Sequence, residues 1–186
     1  MKKYIIAGIC LIYSFFRFCF IKLFHMKDFK FSFINIISPF TEIEINKKSK
    51  FIIGKMVRIR SGSKIKIRRK AEVQIGDNTF FNHGCIVVCH DKIIIGKDVQ
   101  LGPNVLIYDH DHDFRAKNGL KKLKYKTSPV IIGNNVWIGA NTVILRGTKI
   151  GDNCVIGAGS VVSQNIPSES ILIQKRENII NNYKYY

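Results

Sequence analysis

Aliphatic residues recur every six positions near the end of the chain, at Ile132, Ile138, Ile144, Ile150, Ile156 and Val162. Neither an α-helix nor a simple strand repeats with that period. A coil with three flat faces does, because each face takes one hexapeptide, and the repeat is the sequence mark of a parallel β-helix. The period extends backwards through Ile53, Ile59 and Ile65, then Ile75, Phe81 and Val87, then Ile95, Leu101 and Ile107. Five coils are therefore expected, beginning near residues 53, 75, 95, 132 and 150. The residue four after each leading aliphatic should also point inward and be small. It is Val57, Ser63, Thr79, Cys85, Val99, Val105, Val136, Thr142, Thr148, Cys154 and Ser160. The slot fails at Arg69, Asp91 and Asp111, each on the third face of an early coil, where the count exceeds eighteen. The wall is expected to be damaged at that one corner, and irregular corners are where function is built. The largest excess predicts an excursion from about residue 108 to 131.

Residues 1–24 differ in kind. Lys2 and Lys3 precede an apolar run from Tyr4 to Phe16, Arg17 interrupts it, and Phe18–Ile21 resumes it before Lys22. Thirteen residues are too few to cross a bilayer, which needs about 20. The full stretch to Phe24 is long enough but carries two charges. A helix lying in the membrane interface is the first expectation, with a spanning anchor, a signal peptide or a packing helix as alternatives. Residues 25–52 read as a transition or irregular first coil, 53–166 as the β-helix, and 167–186 as a tail.

The chain has 186 residues, enough for one repeat domain. Its net charge of +17 invites a nucleic-acid reading, but the lysines are scattered between apolar residues and no nucleic-acid motif accompanies them. The charge fits an anionic membrane surface and a polyanionic cofactor better. Cys10, Cys19, Cys85, Cys89 and Cys154 match no zinc or redox spacing, which points to reduced thiols in a cytoplasmic protein. Cys85 and Cys154 fill small-residue slots and are expected to be packing residues.

The excursion opens IYDHDHDF, setting His110 and His112 among Asp109, Asp111 and Asp113. Histidine suits proton transfer near neutral pH, and a neighbouring carboxylate can orient it. A solvated polar loop and a metal site are the competing readings. A catalytic zinc wants three protein ligands, and His83 and His90 are distant in sequence.

The segment from about Ile75 to Ile166 resembles the hexapeptide-repeat acetyltransferases, in the group of galactoside and maltose acetyltransferases and bacterial polysaccharide O-acetyltransferases. The motifs are IGDNTFFNHGC, GPNVLIYDHDHDF, SPVIIGNNVWIGANTVILRGTKIGDNCVIGAGSVV and the following NIP. The resemblance implies a left-handed parallel β-helix, a homotrimer with active sites between subunits, acetyl-CoA as co-substrate, and no permanently bound cofactor or metal. On it, the catalytic histidine falls on His110, supported by Asp109 and Asp113. The acceptor-contacting asparagine falls on Asn82, with His112 and His90 at the acceptor end. Trp137, Ala140, Ala158 and Ser163 fall on the cofactor side. Many relatives have a lysine where this chain has Gln164, and Lys175 and Arg176 are placed to meet the CoA phosphates instead.

A sugar hydroxyl is a poor nucleophile at neutral pH, so a base must take its proton as it attacks the thioester. The expectation is direct transfer of acetyl to a sugar of a bacterial surface polysaccharide or its lipid-linked precursor. The enzyme would work at the cytoplasmic face of the inner membrane, peripheral or anchored. A metal enzyme similar to the γ-class carbonic anhydrases and a non-catalytic scaffold are the rival readings.

Overall fold

The computed structural model of the protein describes residues 2–175 and 177. Its strands stack on three faces of a prism. The first face carries Phe29–Phe31, Lys50–Ile53, Glu72–Ile75, Lys92–Ile95, Val130–Ile132 and Lys149–Ile150. The second carries Ile36–Ile37, Arg58–Ile59, Phe80–Phe81, Gln100–Leu101, Trp137–Ile138, Val155–Ile156 and Ile171–Leu172. The third carries Glu42–Ile45, Lys64–Ile67, Ile86–Cys89, Leu106–Tyr108, Val143–Ile144 and Val161–Val162. Neighbours on every face pair in parallel, one coil apart. The expected parallel β-helix is therefore present, and every small residue of the inward slot, from Val57 to Ser160, is buried.

Two expectations need correction. There are six complete coils rather than five, with a seventh begun where Ile166 bridges to Ile150. The extra coil lies within residues 25–52, where Phe29 pairs with Phe51 and Ile37 with Ile59. Its leading positions Phe31, Ile37 and Ile43 keep the six-residue spacing, with an aromatic in place of the first aliphatic. Nor is the wall damaged at the corner between the third and first faces. In the early coils the strands on both sides of that corner are four residues long, as in Lys64–Ile67 and Glu72–Ile75. Alternation along a strand then places Ile67, Ala71 and Val73 inside and leaves Arg69 at the solvent corner. Asp91 likewise lies outside, between buried Cys89 and Ile93.

The corner between the first and second faces is closed by close backbone approach. A Cβ added to Gly76 would meet the backbone C and O of Gly96 at 2.6 Å. Asparagines and aspartates hold the left-handed turn positions that follow, Asn78, Asp98, Asn135 and Asn153, at φ between 51° and 58°. Their short polar side chains tolerate that conformation and link up the stack, as from Asn78 Nδ2 to Asp98 Oδ1 at 2.7 Å.

Helix α1, Lys2–Phe24, covers the open end of the first coil. Phe18 is buried with its ring 5.3 Å from those of Phe29 and Phe31. Buried Ser14 accepts a hydrogen bond from the Ile37 N–H at 2.8 Å. An uncovered coil end would present unpaired strand groups to any other chain. Most of the helix's other side is apolar and exposed, through Tyr4, Ile5, Ile9, Ile12, Phe16, Phe20 and Phe24.

Gly76→Ala should destabilise the protein by about 1–3 kcal/mol through forced backbone shifts. Gly8→Ala, in the helix with nothing within 4 Å, should stabilise by up to about 1 kcal/mol. Urea unfolding of both variants checks this, and equal effects would contradict it.

Candidate active site

Three third-face strands run on past their hexapeptide and build a column of inward residues: Ile45, Ile67 and Cys89 in register. Asp109 follows in the next coil, one residue beyond the strand that ends at Tyr108, and is fully buried. A carboxylate thus ends an apolar column. It is met by donors from the turn below: Asp109 Oδ1 accepts from the His90 N–H at 2.8 Å, and Oδ2 from the N–H groups of Asp91 and Lys92 at 2.7 and 2.8 Å. Cys89 Sγ lies 3.2 Å from Oδ2. Burial and the negative charge of Asp109 push the Cys89 thiol up, so it is an S–H donor here. Burial alone would raise the Asp109 carboxyl, but the hydrogen bonds from His110, His90 and Asp91 outweigh it and hold the group below its usual range.

His110 Nδ1 stands 3.2 Å from Asp109 Oδ1. An ionised carboxylate only accepts, so Nδ1 carries a proton and Nε2 is the ring nitrogen turned to other partners. Nε2 has no hydrogen-bond partner among the described residues. The ring is packed by aromatic neighbours: His90 at 3.9 Å between centroids, Tyr125 at 5.4 Å and Tyr108 at 5.9 Å. Burial, aided by the charge of His110, lowers the pKa of His90 to about 4, so it stacks as a neutral ring near pH 7.

The excursion is not a plain loop. His110–His112 pairs antiparallel with Tyr125–Thr127, and Ser128 N–H returns to the Asp109 carbonyl at 2.9 Å. His112 is exposed on this arm with its ring 4.8 Å from Tyr125. Asp111 pairs with Arg146 of the next coil. Asp113, expected to support His110, instead faces Lys126 at 3.4 Å. Tyr125, Arg146 and Cys89 are contributors that the sequence reading missed. Alternating HDH against YKT, with the opposite charges of Asp111 and Lys126 facing each other, was the available signal for the arm.

The predicted residues divide between two corners. His90, His110, Ser163 and Gln164 lie at the corner between the third and first faces. Asn82, Ala140 and Ala158 lie at the corner between the second and third faces, with Trp137 beside it on the second. Asn82 and His110 therefore do not line one site within one chain. Among the described residues no group of three or more His, Cys, Asp or Glu is arranged to hold a metal ion.

Residues 129–164 match the family model described as bacterial transferase hexapeptide (six repeats). The galactoside O-acetyltransferase of Lactococcus lactis subsp. lactis (strain IL1403) is 32% identical over 76% of this chain and 68% of its own length. The chain belongs to the hexapeptide-repeat acetyltransferases. A further member, from Escherichia coli (strain K12), is named provisionally as a lipopolysaccharide biosynthesis O-acetyl transferase; it is 31% identical over 59% of this chain and 60% of its own. A hexapeptide-repeat acetyltransferase of Vibrio cholerae O1 biovar eltor, solved in complex with acetyl coenzyme A, superposes with a TM-score of 0.54. It is 25% identical and covers 80% of this chain and 68% of that one. The chain spans about half the length of other curated relatives it matches.

Within this hexapeptide-repeat acetyltransferase the cofactor-side candidates sit in the last two coils. Trp137 is 59% exposed between Gln100 and Val155 on the second face, so it is a wall and not core. Gln174 brackets Val161, accepting from its N–H at 2.9 Å and donating to its carbonyl at 2.8 Å, and so ties down the chain just before exposed Lys175. Arg176 lies outside the described residues.

His90 titrates from an ordinary 6.5 in the unfolded chain to about 4 in the folded one. Between those values the unfolded chain binds a proton that the folded one does not, so stability falls as pH drops through that window. His90→Gln should flatten the fall in melting temperature between about pH 6.5 and pH 4; an unchanged profile would contradict it. The charges facing His90 are Asp109, Arg68, His110 and His112.

Proposed function

We propose that the protein transfers acetyl from acetyl-CoA to a hydroxyl of a sugar in a bacterial surface polysaccharide or its precursor. The observation that carries this is the buried Asp109 holding His110 by its Nδ1–H with Nε2 unpartnered, in a member of an acetyltransferase family. Nε2 takes the proton of the sugar hydroxyl as its oxygen attacks the acetyl carbonyl carbon. The tetrahedral intermediate collapses, the C–S bond breaks, and the leaving CoA sulfur takes the proton back from the imidazolium. The thioester is already activated, so no acyl-enzyme is needed. Backbone N–H groups are the donors available for the developing oxyanion.

The acceptor class draws support from relatives named for galactoside and lipopolysaccharide O-acetylation. The division of candidates between two corners is the argument for a homotrimer. His110 of one copy and Asn82 of the next would converge where the third face of one prism meets its neighbour. Trp137, Ala140, Ala158, Ser163, Gln164 and Lys175 would then border the acetyl-CoA groove.

Helix α1 is long and apolar enough to cross a membrane. Its middle is engaged by protein, however, through Ser14 and Phe18. We therefore place it on the cytoplasmic membrane surface, with Ile5, Ile9, Ile12 and Phe16 toward the lipid. It would bring the site to a membrane-bound acceptor.

Purified protein given acetyl-CoA and surface glycans should release free CoA above the hydrolysis rate. His110→Ala should lower kcat by about 10²–10⁴-fold with acetyl-CoA binding retained. Full transfer by that variant would refute the mechanism, and no CoA release with any glycan would refute the activity. The protein should also sediment with phosphatidylglycerol vesicles, and replacing Ile5, Ile9, Ile12 and Phe16 by serine should abolish this. Undiminished sedimentation of that variant would refute the placement of the helix.

A further inference from the structure

A second polar cluster lies away from His110, on the second face and its corner with the third. Arg58 pairs in register with Phe80, and Arg60 N–H donates to the Phe81 carbonyl, so Arg60 stands one coil from Asn82. Both guanidinium carbons lie over the Phe80 ring, at 5.2 and 5.4 Å from its centroid. Arg60 Nη1 is 3.3 Å from His83 Nε2, and His83 Nδ1 is 2.9 Å from Ser61 Oγ. A guanidinium only donates, so His83 accepts at Nε2 and donates from Nδ1 to Ser61. The Ser61 hydroxyl proton is then left for an acceptor outside the cluster.

Neither arginine has an ion-pair partner among the described residues. Some cations of the other faces are paired: Lys50 with Glu72, Lys66 with Glu42, and Arg68 with Glu44. Those glutamates all lie on the first and third faces. The outward column of the second face reads Ile36, Arg58, Phe80, Gln100, Trp137, Val155 and Ile171, without a carboxylate. Two exposed guanidiniums are thus held side by side on one ring with no countercharge. Cation–π contact with the ring orients the groups but does not neutralise them.

We propose that this cluster binds a phosphate group carried by the acceptor. Two guanidinium forks and a free hydroxyl proton suit the several oxygens of a phosphate better than the two of a carboxylate. Resting on the acetyltransferase reading, this makes the acceptor a sugar phosphate or a glycan joined through a diphosphate rather than a finished neutral polymer. The reaction would then stand before the step that removes the sugar from its phosphate carrier. The phosphates of CoA are a poorer fit. Arg58 lies three register steps from Trp137, in the direction away from Ala158, Ser163 and Lys175.

The test is calorimetric titration of inorganic pyrophosphate into the full chain saturated with CoA. The native protein should bind, more weakly as salt rises, and Arg58→Gln with Arg60→Gln should weaken binding by about tenfold or more. Phe80→Leu, which keeps the charges and loosens their placement, should give a smaller loss. Both arginines are exposed, so an unchanged melting temperature should show that the variant is folded. Equal binding by the native and double-variant proteins would overturn the proposal. So would a variant that keeps pyrophosphate but loses CoA, or one that loses only its binding to phosphatidylglycerol vesicles. If the variant loses pyrophosphate while no glycan is ever acetylated, the phosphate site stands and the acetyltransferase reading falls. In the activity assay, a preference for a hexose 1-phosphate over the free hexose should disappear in the double variant.

Discussion

A carboxylate sealed from water must be met by donors on every side, and the site is organised around meeting that need at Asp109. Desolvating such a group costs several kcal/mol. Three backbone N–H groups, one thiol and one imidazole N–H point at it. At about 1.5–3 kcal/mol for each hydrogen bond to a charged group, five donors are of the size that offsets the cost. The backbone donors come from the turn of the preceding coil, so the stacking of two coils sets the carboxylate. The carboxylate in turn sets the tautomer of His110. The proposed general base is thereby oriented by the solenoid itself, and the far end of the arm takes no part in holding it.

The same stacking explains why Asn82 and His110 stay apart within one chain. A solenoid repeats each corner directly above itself, so residues at one corner form a line and residues at different corners stay apart. His110 and Gln164 share one line, and Asn82 and Ala158 share another. Only the hairpin arm leaves the prism, and it springs from the corner that bears the base. The proposed convergence between copies is an answer to this separation. The unbalanced arginines fall on the Asn82 side, so the two halves of the proposed site differ in charge as well as position.

Much of this was legible in the sequence because a six-residue period admits few folds. Each leading aliphatic from Ile53 to Val162 is buried where the period put it. The wide early coils were harder. A strand of four residues alternates every two, so counting by six carried the inward slot to Arg69 and Asp91 when it belonged to Ile67 and Cys89. The first coil was read only as a transition or irregular coil, because Phe29 and Phe31 stand where later coils have aliphatics. At the site, the dense DHDHD run identified the location but not the partners. Asp109 and His110 are neighbours in sequence, whereas His90, Tyr125 and Arg146 reach them only through stacking and hairpin pairing. Asp113 looked equivalent to Asp109 in the sequence; strand alternation and burial separate them.

The N-terminal helix answers a difficulty shared by every open solenoid. The first coil has no coil beneath it, and its apolar interior and strand groups need a cover. Phe18 extends the core over Phe29 and Phe31, and Ser14 takes up the Ile37 N–H. A cover needs only one apolar stripe, and a soluble protein would make the other side polar. Here Tyr4, Ile5, Ile9, Ile12, Phe16 and Phe20 remain exposed on the helix, and Phe33, Ile34 and Phe40 extend the apolar surface into the first coil. Apolar area of that extent exceeds what capping the coil requires. It is the physical reason for reading the helix as both lid and membrane contact.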